Sequence, residues 1–422
     1  MLEPEYEAME RERLERLVLE RMRRTLATVL RHPRWARRLG SVRPDDLDRV
    51  EDWRRLPLLT KPELRDAYPF GFACGDGYRR VHMSSGTTGN PILNPYTERD
   101  VRQWGDVMAR CYVAAGVTRD DIIQITPSFG LFTGGFGFHY GAERLGAMVV
   151  PAGAGRTALQ LRLMRDLGAT VLTAIATYPL RLVEVARQEG FDLSSLALRI
   201  GIFGSEMWSD GLRARIERDL GIRTYDIIGM TETGGPGLGI DCQARIGIHV
   251  WEDHYHPEIV DPVSGEVLPD GVEGELVIST LTREGLPLVR YRTHDLTRVV
   301  SRERCECGRT SLRLDRLRGR TDDMVIVKGV NFYPAQIEAV VMRQAGVSHE
   351  YRIVLESDGG GGEGLSIEVE VEPGCDPGIA ERIRHEVYDL LALSPEVRLC
   401  PFGSIERREG KTVRVVDRRA VR

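Results

Sequence analysis

The 422-residue chain contains no apolar run approaching the roughly 20 residues that a helix needs to cross a bilayer, so no membrane span is expected. Its opening, MLEPEYEAMERERLERL, is charged and lacks the apolar segment of a secretory leader. An excess of one charge is also missing. Lys plus Arg number 58 against 63 Asp plus Glu, a net charge of −5, which offers no electrostatic footprint for nucleic acid. Cysteine is sparse, with seven residues scattered along the chain, which excludes a disulfide scaffold. The GxxxxGK[ST] phosphate loop does not occur, and there is no internal repeat. What remains is 42% apolar and 29% charged, the profile of a soluble globular protein, here expected to be cytoplasmic. The length argues for two domains, one of them large.

The opening stretch through about Arg38 reads as helix, with Leu14, Leu17, Val18 and Met22 at helical spacing. Its many Arg residues are interleaved with Glu, which reads as a solvated face rather than a basic arm. From Asp121 to about Pro236, β-rich runs (DIIQIT, AMVVPA, VLTAIA, LRIGIFG, TYDIIG) alternate with amphipathic segments (LQLRLMRDLG, RLVEVARQEG, GLRARIERDLG) that end in glycine. Hydrophobic strands alternating with helices imply a parallel sheet covered on both faces. After Cys242, short strands and turns suggest a more antiparallel subregion. Near Arg320 the texture changes again: a strand MVIVKG, a helix PAQIEAVVMRQ, strands YRIVLES and LSIEVEVE around a Gly-rich loop, a helix from about Pro377 and one final strand. The expected fold is α/β, with a large domain over 1–320 and a small α+β lid over 321–422.

The clearest site signal is Met83-Ser84-Ser85-Gly86-Thr87-Thr88-Gly89-Asn90-Pro91. Small hydroxyl residues and glycines let a loop wrap closely around an oxygen-rich anion. Further along stand Phe203-Gly204-Ser205-Glu206, Gly229-Met230-Thr231-Glu232, Tyr291-Arg292-Thr293-His294-Asp295, Gly319-Arg320-Thr321-Asp322-Asp323 and Glu409-Gly410-Lys411. Each is weak alone. The six in this order resemble the adenylate-forming superfamily, and within it the phenylacetate–CoA ligase family of acyl-CoA synthetases, from about Leu56 to the C-terminus.

That resemblance implies ATP, Mg²⁺ and CoA as co-reactants and assigns roles residue by residue. Ser84, Ser85, Gly86, Thr87, Thr88 and Gly89 would cradle the phosphates, and Thr231 and Glu232 would sit beside them, Glu232 holding Mg²⁺ through oxygen. Gly204, Ser205, Glu206, Asp226, Ile228, Gly229 and Met230 would line the adenine pocket. Asp295 would take the ribose hydroxyls, with Arg320 near the nucleotide. Two departures stand out: Ile228 replaces the family's aromatic residue before the GMTE-type glycine, and Asn90 and Ile92 stand where a lysine often follows the phosphate loop. Asp322 takes the hinge position, and the Val327–Asn331 strand with Gly329 would border the pantetheine channel. Self-association is expected by analogy alone. CoA is the acceptor that the resemblance implies, a carrier protein or an amine is the alternative, and a nucleotide-binding homologue without chemistry is the rival of another class.

Ser128 to Tyr140 is glycine-rich and aromatic, and in the resembling family lines the carboxylic-acid pocket. The same segment would also read as a helix packing its rings into a core. Phe129, Phe132 and Phe136 are the pocket candidates, with Tyr178, Met230 and Gly204 as walls and the small Ala174 and Ala176 leaving room. A small aryl acid is favoured over a long fatty acid. Cys242, His249, Cys305 and Cys307 form a C-x6-H…C-x-C set whose thiolates and imidazole suit a structural tetrahedral Zn²⁺. His254 or His256 could replace His249. Cys74, Cys111, Cys375 and Cys400 read as packing residues.

Lys411 is the residue expected to serve adenylation, because a fixed ammonium lowers the barrier as charge builds on the α-phosphate oxygens. Lys411→Ala is expected to abolish acyl-adenylate formation while sparing thiolysis of preformed adenylate. Equal loss of both half-reactions would remove this role.

Overall fold

A computed structural model describes residues 1–84, 90–357, 363–407 and 414–419. The chain forms two compact units. The first comprises Met1–Ala174, Asp192–Ser205 and Ile222–Leu317, and the second Ile175–Phe191, Glu206–Gly221 and Arg318–Arg422.

A nine-stranded sheet runs through the first unit in the order Val299–Ser301, Arg313–Leu314, Ile248–Val250, Gly235–Asp241, Arg223–Met230, Ile200–Gly204, Val171–Ile175, Ile122–Ile125, Met148–Val150. The β-rich runs read from the sequence are all present in it. Pairing is parallel in the half built from those runs, with Ile123 opposite Val171 and Ile202 opposite Tyr225. It becomes antiparallel beyond Arg223–Met230, with Ile240 opposite His249. Strands Tyr255–Val260, Gly274–Thr280 and Tyr291–Thr297 pair antiparallel in a second sheet. Ile123, Ile125, Val171, Ile202 and Tyr225 contribute to one continuous apolar core.

The second unit carries a four-stranded sheet in the order Glu396–Pro401, Glu363–Val371, Val347–Ser357, Val415–Asp417. Its central pair is antiparallel and its outer pairs are parallel. Helices Pro334–Val341 and Ile379–Leu391 bury Ile337, Val340, Ile383 and Val387 with the sheet in a separate core. Two expectations need correction here. The run MVIVKG is a hairpin, Val325–Val327 against Val330–Phe332, because Lys328 and Gly329 both take positive φ, 50° and 76°. The single final strand is two, one on each edge of the sheet. Among the described residues, no helix is long and apolar enough to cross a membrane.

The N-terminus also departs from its reading. One helix to Arg38 becomes three, Pro4–Glu7, Arg11–Val29 and Pro33–Leu39, the last break set by Pro33, which has no N–H to give and holds His32 extended. Several of the charged residues expected to face solvent instead fasten this segment to the first unit's core. Glu7 is 2% exposed and accepts from Arg309 Nε at 2.7 Å, while Arg11 makes a two-pronged pair with Glu252 at 2.9 and 2.8 Å. Glu3 and Asp253 share the buried guanidinium of Arg110, the latter at 2.9–3.1 Å. Burial opposes the charge on Arg110, and Asp253 and Glu3 outweigh it.

Removing one partner of such a pair leaves an uncompensated charge out of water, a loss of about 3–5 kcal/mol. Asp253→Ala should therefore lower stability by about that much in urea unfolding. Loss of the exposed Glu20–Arg24 pair by Glu20→Ala should cost under about 1 kcal/mol.

Candidate functional site

The site is built around the end of strand Arg223–Met230. Gly204 and Gly229 are glycines for want of space: a Cβ would meet Ile227 O at 2.3 Å and Gly235 O at 2.3 Å respectively. Beyond Met230 the chain turns tightly over Thr231–Gly234, with Gly234 N donating to Thr231 O at 3.2 Å and Thr233 Oγ1 to Met230 O at 3.1 Å. Gly234 and Gly235 have φ of 110° and 99°, so strand Gly235–Asp241 leaves antiparallel. Glu232 is held in this turn, 4% exposed. Tyr291 Oη donates to Glu232 Oε1 at 3.3 Å, and Lys61 Nζ lies 3.2 Å from the same oxygen.

Sequence reasoning missed Lys61 and the role of Tyr291. Lys61 opens helix Lys61–Asp66, far from Glu232 along the chain, and carries no motif. One signal was available: only three of the 58 basic residues are lysines, at positions 61, 328 and 411. A chain that otherwise uses arginine keeps an ammonium beside its candidate metal carboxylate.

The neighbouring strand, Ile200–Gly204, is followed by Ser205, which is exposed and takes a left-handed φ of 68°, a strained conformation for a serine. Asp226 is buried, donates its N–H to Asp241 Oδ1 at 2.8 Å and accepts from Arg316 Nε at 2.9 Å. Ile228 is buried in the sheet core, Gly229 is exposed and Met230 is half-buried against the N-terminal core. Asp295 is 7% exposed in strand Tyr291–Thr297, next to His294 with φ 66°. Ser84 pairs through its N–H and Oγ with the backbone of Ile92, both at 3.0 Å. Ser85, Gly86, Thr87, Thr88, Gly89 and Lys411 lie outside the described residues. In the second unit, Tyr178 begins helix Tyr178–Glu189 and Glu206 accepts from Thr177 Oγ1 at 2.8 Å. There, too, Arg320 grips Asp322 with two hydrogen bonds, 2.9 and 3.0 Å.

The glycine-rich aromatic segment is partly helical, Gly134–Leu145, and still gathers its rings. Phe129 meets Phe136 edge-on at 5.3 Å, Phe136 stacks on Tyr140 at 5.9 Å, and Arg80 lies over both Phe136 and Tyr140 at 5.0 and 4.8 Å. His82 adds an imidazole 5.4 Å from Phe136; burial pushes its pKa down to about 4, so it is neutral. Phe132 is instead 48% exposed. Met83 N donates to Leu131 O at 2.9 Å, which ties this segment to the strand leading into the phosphate-loop motif.

Cys242, His249, Cys305 and Cys307 do converge, with all four ligand atoms within 4.8 Å of one another. Cys242 and Cys305 Sγ are 3.7 Å apart, and Cys307 Sγ is 3.5 Å from His249 Nε2. A tetrahedral Zn²⁺ with bonds of ~2.3 Å to sulfur and ~2.0–2.1 Å to nitrogen requires separations of about 3.8 and 3.6 Å. His249 Nδ1 lies 3.0 Å from Ser311 Oγ, a partner that fixes the ring for a metal. Burial opposes charge on His249, yet its hydrogen bonds to Cys305 and Cys307 hold its pKa above the ordinary value, and bonds from Cys242 and His249 draw the Cys307 thiol down. His254 is engaged elsewhere, with Thr282 at 2.8 Å and Asp253 at 3.3 Å, and His256 lies within strand Tyr255–Val260. His249 is therefore the fourth member.

Comparison with known proteins identifies the family. Residues 81–282 match the family of AMP-binding enzymes, and residues 329–419 the AMP-binding enzyme C-terminal domain. The chain is 40% identical to the phenylacetate–coenzyme A ligase of Escherichia coli (strain K12), covering 97% of this chain and 95% of that protein. It is 39% identical to the phenylacetate–coenzyme A ligase of Aromatoleum evansii, over 99% and 97%. Among solved structures, 2-hydroxyisobutyryl-CoA ligase in complex with 2-HIB-AMP in the postadenylation state superposes with a TM-score of 0.91 at 27% identity, covering 98% of this chain and 91% of that one. The same ligase with 2-HIB-AMP and CoA gives 0.73 at 28% identity, over 99% and 92%. The chain belongs to the phenylacetate–CoA ligase family of AMP-binding enzymes, acid–thiol ligases that work through an acyl-adenylate.

Proposed function

We propose that this chain joins a small aryl carboxylic acid, phenylacetate or a substituted benzoate, to CoA at the expense of ATP. The observation that carries the reading is the match of nearly the whole chain, at about 40% identity, to phenylacetate–coenzyme A ligases. The clustered rings of Phe129, Phe136 and Tyr140 support an aromatic acid over an aliphatic one, since edge and face contacts contribute about 0.5–1.5 kcal/mol each.

A carboxylate is a poor electrophile, so one of its oxygens first attacks the α-phosphorus of ATP. The P–O bond to the β-phosphate breaks and pyrophosphate leaves. The thiol sulfur of CoA then attacks the acyl carbon of the mixed anhydride, AMP departs and the thiol proton goes to solvent. Lys411 would meet charge on the α-phosphate oxygens in the first step. Asp322 would be the joint about which the smaller domain, 321–422, changes place between steps. Asp295 would hold the ribose, and Ser84 with residues 85–89 the phosphates.

Mg²⁺, when bound, supplies charge neutralisation on the phosphates. Glu232 fits it as a buried oxygen ligand, since Mg²⁺ keeps most of its shell for water and phosphate. Lys61, 3.2 Å from that carboxylate, brings a cation to a chain whose phosphate-loop motif ends in Asn90 rather than lysine. The Cys242–His249–Cys305–Cys307 set would hold Zn²⁺ in a closed shell with no position for catalysis. A reaction that consumes ATP and CoA supports a cytoplasmic location.

Pyrophosphate release across a panel of aryl and fatty acids should be fastest with phenylacetate or a benzoate. With CoA present, mass spectrometry should find the aryl-CoA. Turnover confined to fatty acids, or acyl transfer only to a carrier protein or amine, would overturn the reading. Metal analysis of purified protein should find about one zinc per chain, falling well below that in Cys307→Ser. Absence of zinc, with all four groups titrating freely, would remove the metal.

A further inference from the structure

A buried polar brace lies directly behind Glu232. Asn94, in strand Leu93–Tyr96, is fully buried, and its Nδ2 donates to both Thr231 O and Glu232 O, the latter at 3.1 Å. One amide thus grips the two carbonyls that flank the Glu232 residue in the turn. Its other atom, Oδ1, accepts from Arg283 Nη2 at 3.0 Å, which fixes which way the amide faces. Arg283 is itself enclosed. Its guanidinium stands 4.2 Å over the Tyr96 ring, 3.8 Å from Asp100 Oδ1, and against Gly234, where a Cβ would meet it at 3.3 Å.

Asp100 completes the brace. It is fully buried and accepts from Glu284 N at 2.9 Å, Gly285 N at 2.8 Å and Thr97 N at 3.0 Å, so the segment that carries Arg283 cannot shift without breaking these bonds. At Gly285 a Cβ would strike Pro95 O at 2.2 Å, so only glycine lets the two segments close on each other. An arginine, an asparagine and an aspartate buried together are costly, the more so as Arg283 Nε has no hydrogen-bond partner among the described residues. Packing alone would have been met by apolar residues of the same volume. What this arrangement adds is direction: it sets the Thr231–Glu232 backbone from behind, while Tyr291 and Lys61 meet the carboxylate in front.

We propose that Asn94 and Arg283 are positioning residues for adenylation, holding the Thr231–Glu232 backbone so that the Glu232 carboxylate faces the metal-bound nucleotide. The inference rests on the reading of Glu232 as the Mg²⁺ carboxylate. A carboxylate misplaced by ~1 Å loses a large part of its effect, of the order of 10²-fold. The burden falls on adenylation, because thiolysis of a finished adenylate involves no triphosphate.

The test uses the full-length protein and three variants, Asn94→Asp, Arg283→Lys and Glu232→Gln. Each is assayed for pyrophosphate release against Mg²⁺ concentration and, separately, for thiolysis of chemically prepared acyl-adenylate by CoA. Asn94→Asp removes the two N–H donors and keeps the acceptor for Arg283; Arg283→Lys keeps the charge and loses the fork. Both should raise the Mg²⁺ concentration for half-maximal adenylation about tenfold or more and leave thiolysis and the KM for the acid unchanged. Unchanged Mg²⁺ dependence in Asn94→Asp and Arg283→Lys, with a shift in Glu232→Gln, overturns the brace alone. Unchanged dependence in Glu232→Gln overturns the Mg²⁺ reading itself. Parallel loss of both half-reactions in Asn94→Asp and Arg283→Lys, the mark of a merely structural role or of misfolding, also overturns the proposal.

Discussion

The site depends on how strand Arg223–Met230 is paired. It runs parallel to Ile200–Gly204 on one edge and antiparallel to Gly235–Asp241 on the other. Parallel pairing puts two strand ends side by side, Gly204 level with Ile227, so Gly204-Ser205 and Gly229-Met230 emerge at one rim. Ligands of open α/β sheets bind at such carboxyl ends. Antiparallel pairing makes the chain reverse at that same rim, and the reversal is the Thr231–Gly234 turn that bears Glu232. Neither mode alone would give both features. The register shift between Ile228 and Gly229 shows where the ladder gives way to the turn.

A second constraint is the treatment of buried charge. The chain buries Arg110, Arg283, Arg290 and Arg309 and meets each with a carboxylate: Asp253, Asp100, Glu258 and Glu7. Such pairs contribute little net stability against apolar residues of equal volume, and they penalise any arrangement that separates the partners. They act here as register marks. Glu7 and Arg11 fix the N-terminal segment against Arg309 and Glu252, and Asp100 and Arg283 fix two loops behind Glu232. Guanidinium suits this use, because its planar fork donates to two partners in a set direction. An ammonium does not, and Lys61 meets Glu232 as a single point charge, 3.2 Å from one carboxylate oxygen.

How much of this could be read beforehand follows from the range of each interaction. The parallel strands and their helices announced themselves through local hydrophobic runs and glycine caps. The thiol–imidazole cluster was legible as residue types, but the convergence of His249 rather than His254 or His256 on the three thiols was not. It was settled by the pairing of Ile240 with His249, which brings strand Ile248–Val250 back alongside the strand that leads to Cys242. Glu12, Arg13, Glu15 and Arg16 do face solvent, but Glu7 and Arg11 were misread, because alternating Glu and Arg looks the same on a solvated helix and on one whose partners lie elsewhere in the chain. Arg309, which receives Glu7, is 302 residues away. Asn94, Arg283 and Lys61 escaped for the same reason, since their partners are distant and no spacing rule links them.

Strand Gly235–Asp241 connects these observations. Glu232 sits in the turn at its start and Cys242 follows its last residue, so the candidate nucleotide carboxylate and the thiol cluster share one strand of seven residues. At ~3.4 Å per residue, about 24 Å separates its ends. A one-residue slip of that strand would turn every side chain to the opposite face. It would carry Cys242 away from Cys305 and His249 at one end and strain the Thr231–Gly234 turn at the other. The Asn94 brace resists the slip from the front, and four convergent ligands resist it from the back. The turn Cys305–Thr310 is itself held to the N-terminal segment, by Arg309 on Glu7 and by Thr310 Oγ1 on Met9 O at 2.6 Å. An ion held at these four residues would thus guard the register on which the candidate site around Glu232 is built, from a distance at which it could take no part in chemistry there.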